Sequence, residues 1–267
     1  MSRNPTRKTC IALMGAAGGA GVTGAVIETG YAAMKAKPAA GKAAPRVCLM
    51  DLDFENGALA SYLDIAAGID TGVMAGDPAR IDGALTSAFV TKHDSGLRLL
   101  AAPGRLGGND GVNPNCVLAL MDAAATLYDV LVLDVPRLWQ PWTQAALMAS
   151  DRAVMMTDMS IPALHSARER IAQIEAITQP ARPMDIVINK HERRSFRATV
   201  TATDAQQALG RTVSAFVAVD PATPRNAMNC GQPAGRLQAD SRYAKDMAAL
   251  MKVLMSPADN AARKAAG

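Results

Sequence analysis

Residues 14–26 of the chain read MGAAGGAGVTGAV, and this stretch decides the fold. The apolar run CIALMG at 10–15 is typical of a buried strand, and a helical pattern follows the glycines to about Lys37. In a strand, glycine-rich turn and helix arranged in this order, backbone N–H groups can converge on a phosphate at the helix N-terminus. The stretch therefore predicts the first unit of an α/β fold, with a candidate phosphate-binding loop.

The loop departs from the usual phosphate-binding pattern at a decisive position. Gly18, Gly19 and Gly21 supply the backbone freedom, and Thr23 stands where a hydroxyl binds Mg²⁺. Val22, however, takes the place of the lysine that reaches the outer phosphates. Glycine-rich turns between strands and helices also occur without any ligand. From the loop alone, a nucleotide site without its lysine and a plain turn of small residues both stay open.

Short apolar runs alternate with helical stretches along the rest of the chain. Six or seven strands separated by helices predict one doubly wound α/β domain over residues 1–255, with a mostly parallel sheet flanked by helices. The tail at 256–267 is expected to be flexible. Apolar residues make up 49% of the 267 and aromatic residues only 4%, a balance that favours helices packed on a buried parallel sheet.

Polar side chains follow several of the predicted strands. Asp51 and Asp53 follow the second strand, Asp134 ends the apolar run VLVLD, and Asn189 ends VIN. Because ligands bind at the carboxyl ends of parallel strands, these residues are expected at one edge of the sheet. Asp residues also end strands and start turns for structural reasons alone, so Asp53 is equally a structural and a catalytic candidate.

Composition and targeting signals narrow the function classes. A net charge of +4 gives no strong signal for nucleic acid, and four separated cysteines without a C-x-x-C pair favour a reducing cytoplasm. The basic, then apolar N-terminus has features of a secretory signal, but glycines interrupt it, and cleavage would remove the first strand and the loop. No run reaches about 18 apolar residues, so no transmembrane segment is expected.

Taken together, these motifs resemble the ParA/MinD superfamily of deviant P-loop ATPases. That family's loop reads K-G-G-x-G-K-[ST], and residues 17–23 here read AGGAGVT. Within the superfamily the sequence is most similar to the CpaE/TadZ group, the localisation ATPases of Tad (Flp) pilus assembly. The similarity spans residues 10–254 and is carried by DLDFENGALASYLDI (51–65), YDVLVLDVPRLWQPWTQAAL (128–147), INKHERRS (188–195) and the segment 208–250 with its N-x-G-x-P pattern.

The resemblance implies a role for each candidate site residue. Thr23 would ligate Mg²⁺, with Asp51 and Asp134 in the water shell of the metal, and Asp53 would orient the attacking water. Asn189 would contact the adenine edge. The nucleotide-binding residues implied are the loop positions Gly18, Gly19, Ala20, Gly21, Val22, Thr23 and Gly24 together with Asn189, and the implied cofactors are ATP and Mg²⁺.

Two departures from the family pattern bear on activity. Ala17 and Val22 replace both family lysines, and the chain begins at the first strand, without the N-terminal receiver-like domain that many members of the group carry. Backbone N–H groups, the helix dipole and Mg²⁺ can still hold phosphates, but phosphoryl transfer depends on stabilising charge. Arg137, Lys190, Arg193 and Arg194 are candidate replacement cations.

The resemblance implies a cytoplasmic homodimer that localises or assembles a Tad-type pilus machine. It would act as an ATP-binding scaffold with weak or no hydrolysis, meeting other pilus-assembly proteins at the inner membrane or cell pole. The alternative is an active ParA/MinD-like ATPase that positions DNA or cell-division cargo. The sequence leaves open whether nucleotide binds or is hydrolysed without the lysines, and whether dimerisation depends on nucleotide.

Overall fold

A computed structural model describes residues 8–38, 43–178, 184–192 and 200–256. Its strands are β1 (Thr9–Gly15), β2 (Val47–Asp51), β3 (Thr91–Lys92), β4 (Arg98–Leu100), β5 (Val130–Val135), β6 (Arg152–Thr157), β7 (Met184–His191) and β8 (Ala215–Ala218). Its α-helices are α1 (Val22–Lys35), α2 (Leu59–Tyr62), α3 (Thr71–Met74), α4 (Gly83–Phe89), α5 (Pro114–Leu127), α6 (Pro141–Ala149), α7 (Ile161–Ile177), α8 (Ala202–Leu209), α9 (Ala222–Asn229), α10 (Ala234–Leu237) and α11 (Arg242–Met255).

The strands form one sheet in the order β3-β4-β2-β5-β1-β6-β7-β8. Its pairs are parallel except for the antiparallel contact between β3 and β4. This arrangement confirms the doubly wound, mostly parallel sheet predicted from the sequence. The sheet has eight strands where six or seven were predicted, because β3 is only two residues long and too short to produce a periodic pattern.

The sheet lies between two helical layers. Alternate residues of β1 point to opposite faces, so Ile11 and Leu13 enter one apolar cluster while Ala12 and Met14 enter the other. Helices α1 and α11 supply much of the first layer, and α5, α6, α7 and α8 supply the second. The sheet is covered on both faces, which explains why its strands read as continuous apolar runs.

Three short helices were not predicted from the sequence. Helix α3 begins where the Asp70 carboxylate accepts the Gly72 N–H at 2.8 Å, and α9 and α10 lie between β8 and α11, where no helix was predicted. The last helix, α11, packs an apolar stripe of Met247, Leu250, Met251 and Leu254 on the domain. The predicted flexible tail lies, Ser256 apart, outside the described residues.

A buried ion pair joins the sheet to the end of the last helix. Arg152, the first residue of β6, donates from Nε and Nη2 to Oδ2 of Asp185 in β7, at 2.9 and 2.7 Å. Its Nη1 donates to the carbonyls of Val253, Leu254 and Ser256 at 2.7, 3.1 and 3.2 Å. One guanidinium therefore neutralises a buried carboxylate and also caps the C-terminus of α11.

Replacing Arg152 is expected to destabilise the fold severely. Arg152→Ala removes the guanidinium that pairs with buried Asp185 and caps α11, so the free energy of unfolding should fall by about 3–5 kcal/mol in urea titrations followed by circular dichroism. The matched control is Arg46→Ala, because Arg46 pairs with Asp129 at 3.0 Å while its side chain stays 59% exposed. That control should change the free energy by less than about 1 kcal/mol. Equal losses in the two variants would contradict this assignment.

Candidate nucleotide-binding site

A cavity of about 570 Å³ opens at the carboxyl edge of the sheet. Its walls come from the glycine loop, the ends of β5 and β7, and the segment that follows β8. Because these strands are parallel, their carboxyl ends meet at this edge. Ten of the eleven site residues predicted from the sequence line the cavity: Gly18, Gly19, Ala20, Gly21, Val22, Thr23, Gly24, Asp53, Asp134 and Asn189.

The glycine loop opens directly onto the first turn of α1. Gly19 and Gly21 have φ values of 73° and 85°, a left-handed conformation that favours glycine. A Cβ on Gly21 would also collide with the Asn189 amide. No side chain caps this end of α1, and its first turn contains no acidic residue. The helix N-terminus therefore presents N–H groups and a positive dipole end beside the cavity.

Thr23 and Asp134 meet inside the cavity. Asp134 lies in β5 and is 7% exposed, and the Thr23 hydroxyl lies beside its carboxylate. Burial raises the pKa of Asp134 to about 7; the neighbouring Thr23 hydroxyl opposes this rise, and the charge of Asp53 adds to it. A hydroxyl and a carboxylate in contact beside a helix N-terminus form an oxygen donor set suited to Mg²⁺.

Asp51 is the predicted residue that the structure does not bring to the cavity. Its buried carboxylate accepts the Asp53 N–H at 3.0 Å through Oδ1 and the Leu59 N–H at 3.2 Å through Oδ2. Burial, and then the neighbouring Asp134, raise the pKa of Asp51 well above its ordinary value. Asp51 thus holds the turn after β2 and lies behind Asp134, its partner in the adjacent strand.

The Asp53 side chain shapes a turn and also lines the cavity. Its Oδ1 accepts the backbone N–H groups of Asn56 and Glu55 at 2.8 and 3.3 Å, which are contacts that shape a turn. The same side chain is half-buried and lines the cavity. The contacts of Asp53 are structural, and its catalytic role stays a prediction.

Two consecutive residues at the end of β7 hold two consecutive carbonyls of the loop. Asn189 Nδ2 donates to the Ala20 carbonyl at 2.9 Å, and Lys190 Nζ donates to the Gly19 carbonyl at 2.8 Å. Lys190 adopts a φ of 56°, in the left-handed region, and its N–H donates to Asn189 Oδ1 at 2.9 Å. The end of β7 therefore fixes the outer side of the loop.

Three cations line the cavity among the described residues: Arg137, Lys190 and Arg225. The first two are candidate replacements for the missing loop lysines on sequence grounds. The other two candidates, Arg193 and Arg194, lie outside the described residues. Arg225 was missed, although it lies just after β8 and the rule that strand ends meet at one edge could have indicated that segment.

Glu28 is a buried acid that no sequence signal indicated, because it lies within α1. Its two carboxylate oxygens accept the backbone N–H groups of Ala234 and Gly235, so it ties α1 to α10. Burial raises the pKa of Glu28 to about 7, and the two backbone bonds oppose the rise. Burial raises the pKa values of Tyr31 and Tyr243, and the charge of Glu28 raises them further. Glu28 and Tyr243 also line the cavity.

The chain matches solved structures but no family model and no curated protein sequence. It is similar to a ParA family ATPase from Chlorobium tepidum TLS, with a TM-score of 0.77 and 19% identity over 92% of this chain and 98% of that chain. It is also similar to MinD complexed with Mg-ADP from Pyrococcus horikoshii OT3, with a TM-score of 0.73 and 15% identity over 93% and 96% of the two chains. A third match is the MinC:MinD cell division protein complex of Aquifex aeolicus, with a TM-score of 0.74 and 18% identity over 93% and 96%.

These likenesses establish the fold, which is that of the ParA and MinD ATPases. They cover nearly the full length of both chains, so the resemblance concerns the whole sheet and its helices. Among the helices of the described segments, none combines the length and the apolar character needed to cross a membrane.

The free energy of unfolding is expected to depend on pH through Glu28. Its pKa is 4.5 in an ordinary setting and about 7 in the fold, so the folded state binds the proton more tightly between these values. Stability should therefore fall as pH rises from about 4.5 to about 7, by about 1–3 kcal/mol, and level off above. Glu28→Gln should remove that part of the slope in urea titrations at several pH values. Identical slopes for the variant and the wild type would contradict it.

Proposed function

We propose that the protein is a ParA/MinD-type protein that binds Mg-ATP in this cavity and hydrolyses it weakly or not at all. The observation that carries the proposal is the contact of Thr23 with Asp134 beside an uncapped helix N-terminus, in a loop without lysine. Such an arrangement can bind a metal-nucleotide through N–H groups, a hydroxyl and a carboxylate.

The metal would be held by the oxygen groups at the start of α1 and the end of β5. Thr23 would ligate Mg²⁺ directly, and Asp134 would accept hydrogen bonds from its water shell. Asp51, for which the family resemblance implies the same water-mediated role, would act from behind Asp134 by fixing the turn that carries Asp53. Mg²⁺ supplies positive charge to the phosphates when bound, and the loop N–H groups from residues 18–24 would orient them.

The adenine base would lie toward the end of β7 and the segment after β8. One N–H of the Asn189 amide is used on the Ala20 carbonyl, which orients the rest of the amide beside the cavity. Asp220, Pro221, Pro224 and Arg225 line the same region. This placement supports the role of Asn189 as the adenine contact.

Weak turnover follows from the missing charge. Phosphoryl transfer relies on positioning and on cations that stabilise developing negative charge. Positions 17 and 22 carry alanine and valine, and Lys190, the cation bonded to the loop, binds a carbonyl on its outer side. Asp53 remains the residue proposed to orient a water, but its carboxylate already accepts two backbone N–H groups.

The biological role that we propose is CpaE/TadZ-like: a cytoplasmic homodimer that localises or assembles a Tad-type pilus machine. The support is the sequence resemblance over residues 10–254, together with a fold shared with ParA and MinD. Recruitment to the inner membrane or cell pole would occur through protein partners. An ATPase that positions DNA or cell-division cargo has the same fold and is the alternative; retained loop lysines would favour it, and both are replaced here.

Calorimetric titration with Mg-ATP tests the proposed function, with phosphate release measured in parallel. The wild type should bind, and Thr23→Ala should weaken binding about tenfold or more because the metal loses a ligand. Thr126→Ala is the matched control, since Thr126 lies on the exposed side of α5 and its hydroxyl donates to the Ala123 carbonyl, away from the cavity. It should leave the dissociation constant unchanged.

Two results would contradict the proposal. Absence of heat and of Mg-ATP binding in the folded wild type would show that the cavity does not serve nucleotide. Turnover at about 1 s⁻¹ or faster, the lower range of ordinary enzymes, would contradict the scaffold with weak hydrolysis.

A further inference from the structure

We propose that Lys190 is the positioning residue that lets a loop without lysine hold phosphate, by fixing the direction of the loop's peptide groups. The inference rests on the proposed nucleotide binding and concerns how that binding is achieved. It starts from the hydrogen bond between Lys190 Nζ and the Gly19 carbonyl, at 2.8 Å.

Because peptide groups are planar, a bond that holds a carbonyl also fixes the direction of the N–H group in the same peptide. In a planar trans peptide the C=O and N–H groups point in opposite directions. The Gly19 carbonyl shares its peptide with the Ala20 N–H, and the Ala20 carbonyl, held by Asn189 at 2.9 Å, shares its peptide with the Gly21 N–H. When β7 holds both carbonyls, the N–H groups of Ala20 and Gly21 point away from β7.

The positive charge of Lys190 also favours phosphate binding. A carbonyl that faces a phosphate repels it, and an ammonium bonded to that carbonyl both cancels its partial negative charge and adds a full positive charge. Of the three cations that line the cavity among the described residues, Lys190 is the one that donates to the loop. It therefore adds positive charge beside a loop that carries none of its own.

The left-handed backbone conformation of Lys190 supports a functional role for its contact with the loop. A φ of 56° is uncommon for a residue with a side chain and costs free energy, so it persists only where neighbouring contacts hold it. Here Lys190 lies at an irregularity in the register of β7, and the bond from its N–H to Asn189 Oδ1 stabilises that backbone. The exposed Lys190 side chain reaches the loop, where its Nζ donates to the Gly19 carbonyl.

The test compares ligands that differ in phosphate while Lys190 is changed. Mg-ATP and adenosine are titrated into the wild type, Lys190→Met and Lys190→Arg, with Lys245→Met as the matched control, because Lys245 is an exposed lysine of α11 that does not line the cavity. Lys190→Met should weaken Mg-ATP about tenfold and adenosine less than about twofold. Lys190→Arg should restore Mg-ATP binding to within about threefold, and Lys245→Met should leave the dissociation constant of Mg-ATP within about twofold of the wild type.

Thermal unfolding of each variant checks that the fold is intact, and Lys190→Asn provides a second neutral variant that tolerates a left-handed φ. Loss of Mg-ATP affinity in both neutral variants, with Tm unchanged, supports the proposal. Unchanged Mg-ATP binding, equal weakening of adenosine, or no rescue by arginine would overturn it while nucleotide binding itself stands. Absence of Mg-ATP binding in the wild type would instead overturn the proposed function, and this inference with it.

Discussion

The common direction of β1, β5 and β7 is the constraint on which the site depends. Because these strands are parallel, the glycine loop after β1, Asp134 in β5 and Asn189 in β7 come to one edge of the sheet. At this edge, Asp51 holds the turn after β2. At the opposite, amino edge of the sheet, Arg152 with Asp185 joins β6 and β7 to the end of α11. The cavity is therefore a consequence of strand direction, and its chemistry is a consequence of which residues end each strand.

The electrostatics of the cavity are unusual for a site that would take a triphosphate. Neither loop position that carries lysine in the ParA/MinD pattern does so here, yet burial raises the pKa of both Asp134 and Glu28 to about 7. Burial disfavours the charged form of both acids, and a bound Mg²⁺ would favour the charged form of Asp134. The dipole of α1 and the ammonium of Lys190 add positive potential from outside the loop. This distribution suits retention of a nucleotide better than its hydrolysis.

The fold and most of the cavity could be predicted from the sequence, since both follow from periodicity and from the rule that strand ends meet at one edge. Ten candidate residues line the cavity because each lies in the loop or at a strand end. The rest could not be predicted, for physical reasons particular to each residue. Asp51 also ends a strand, but its direction depends on the backbone N–H groups of Asp53 and Leu59. Glu28 lies within a helix, and its partners at 234 and 235 are distant in sequence. The contact of Lys190 with the loop depends on the left-handed backbone conformation of this residue, which no sequence pattern predicts.

The central claim is that the loop at 18–24 holds phosphate through its backbone N–H groups. Amide nitrogen–proton NMR spectra recorded with and without Mg-ATP test it most directly, because each loop N–H is observed separately. The account predicts that the amide signals of Ala20, Gly21 and Thr23 shift on addition of Mg-ATP, and shift far less with adenosine. Loop signals that stay in place while other cavity residues respond would contradict it, since the nucleotide would then bind without using the loop.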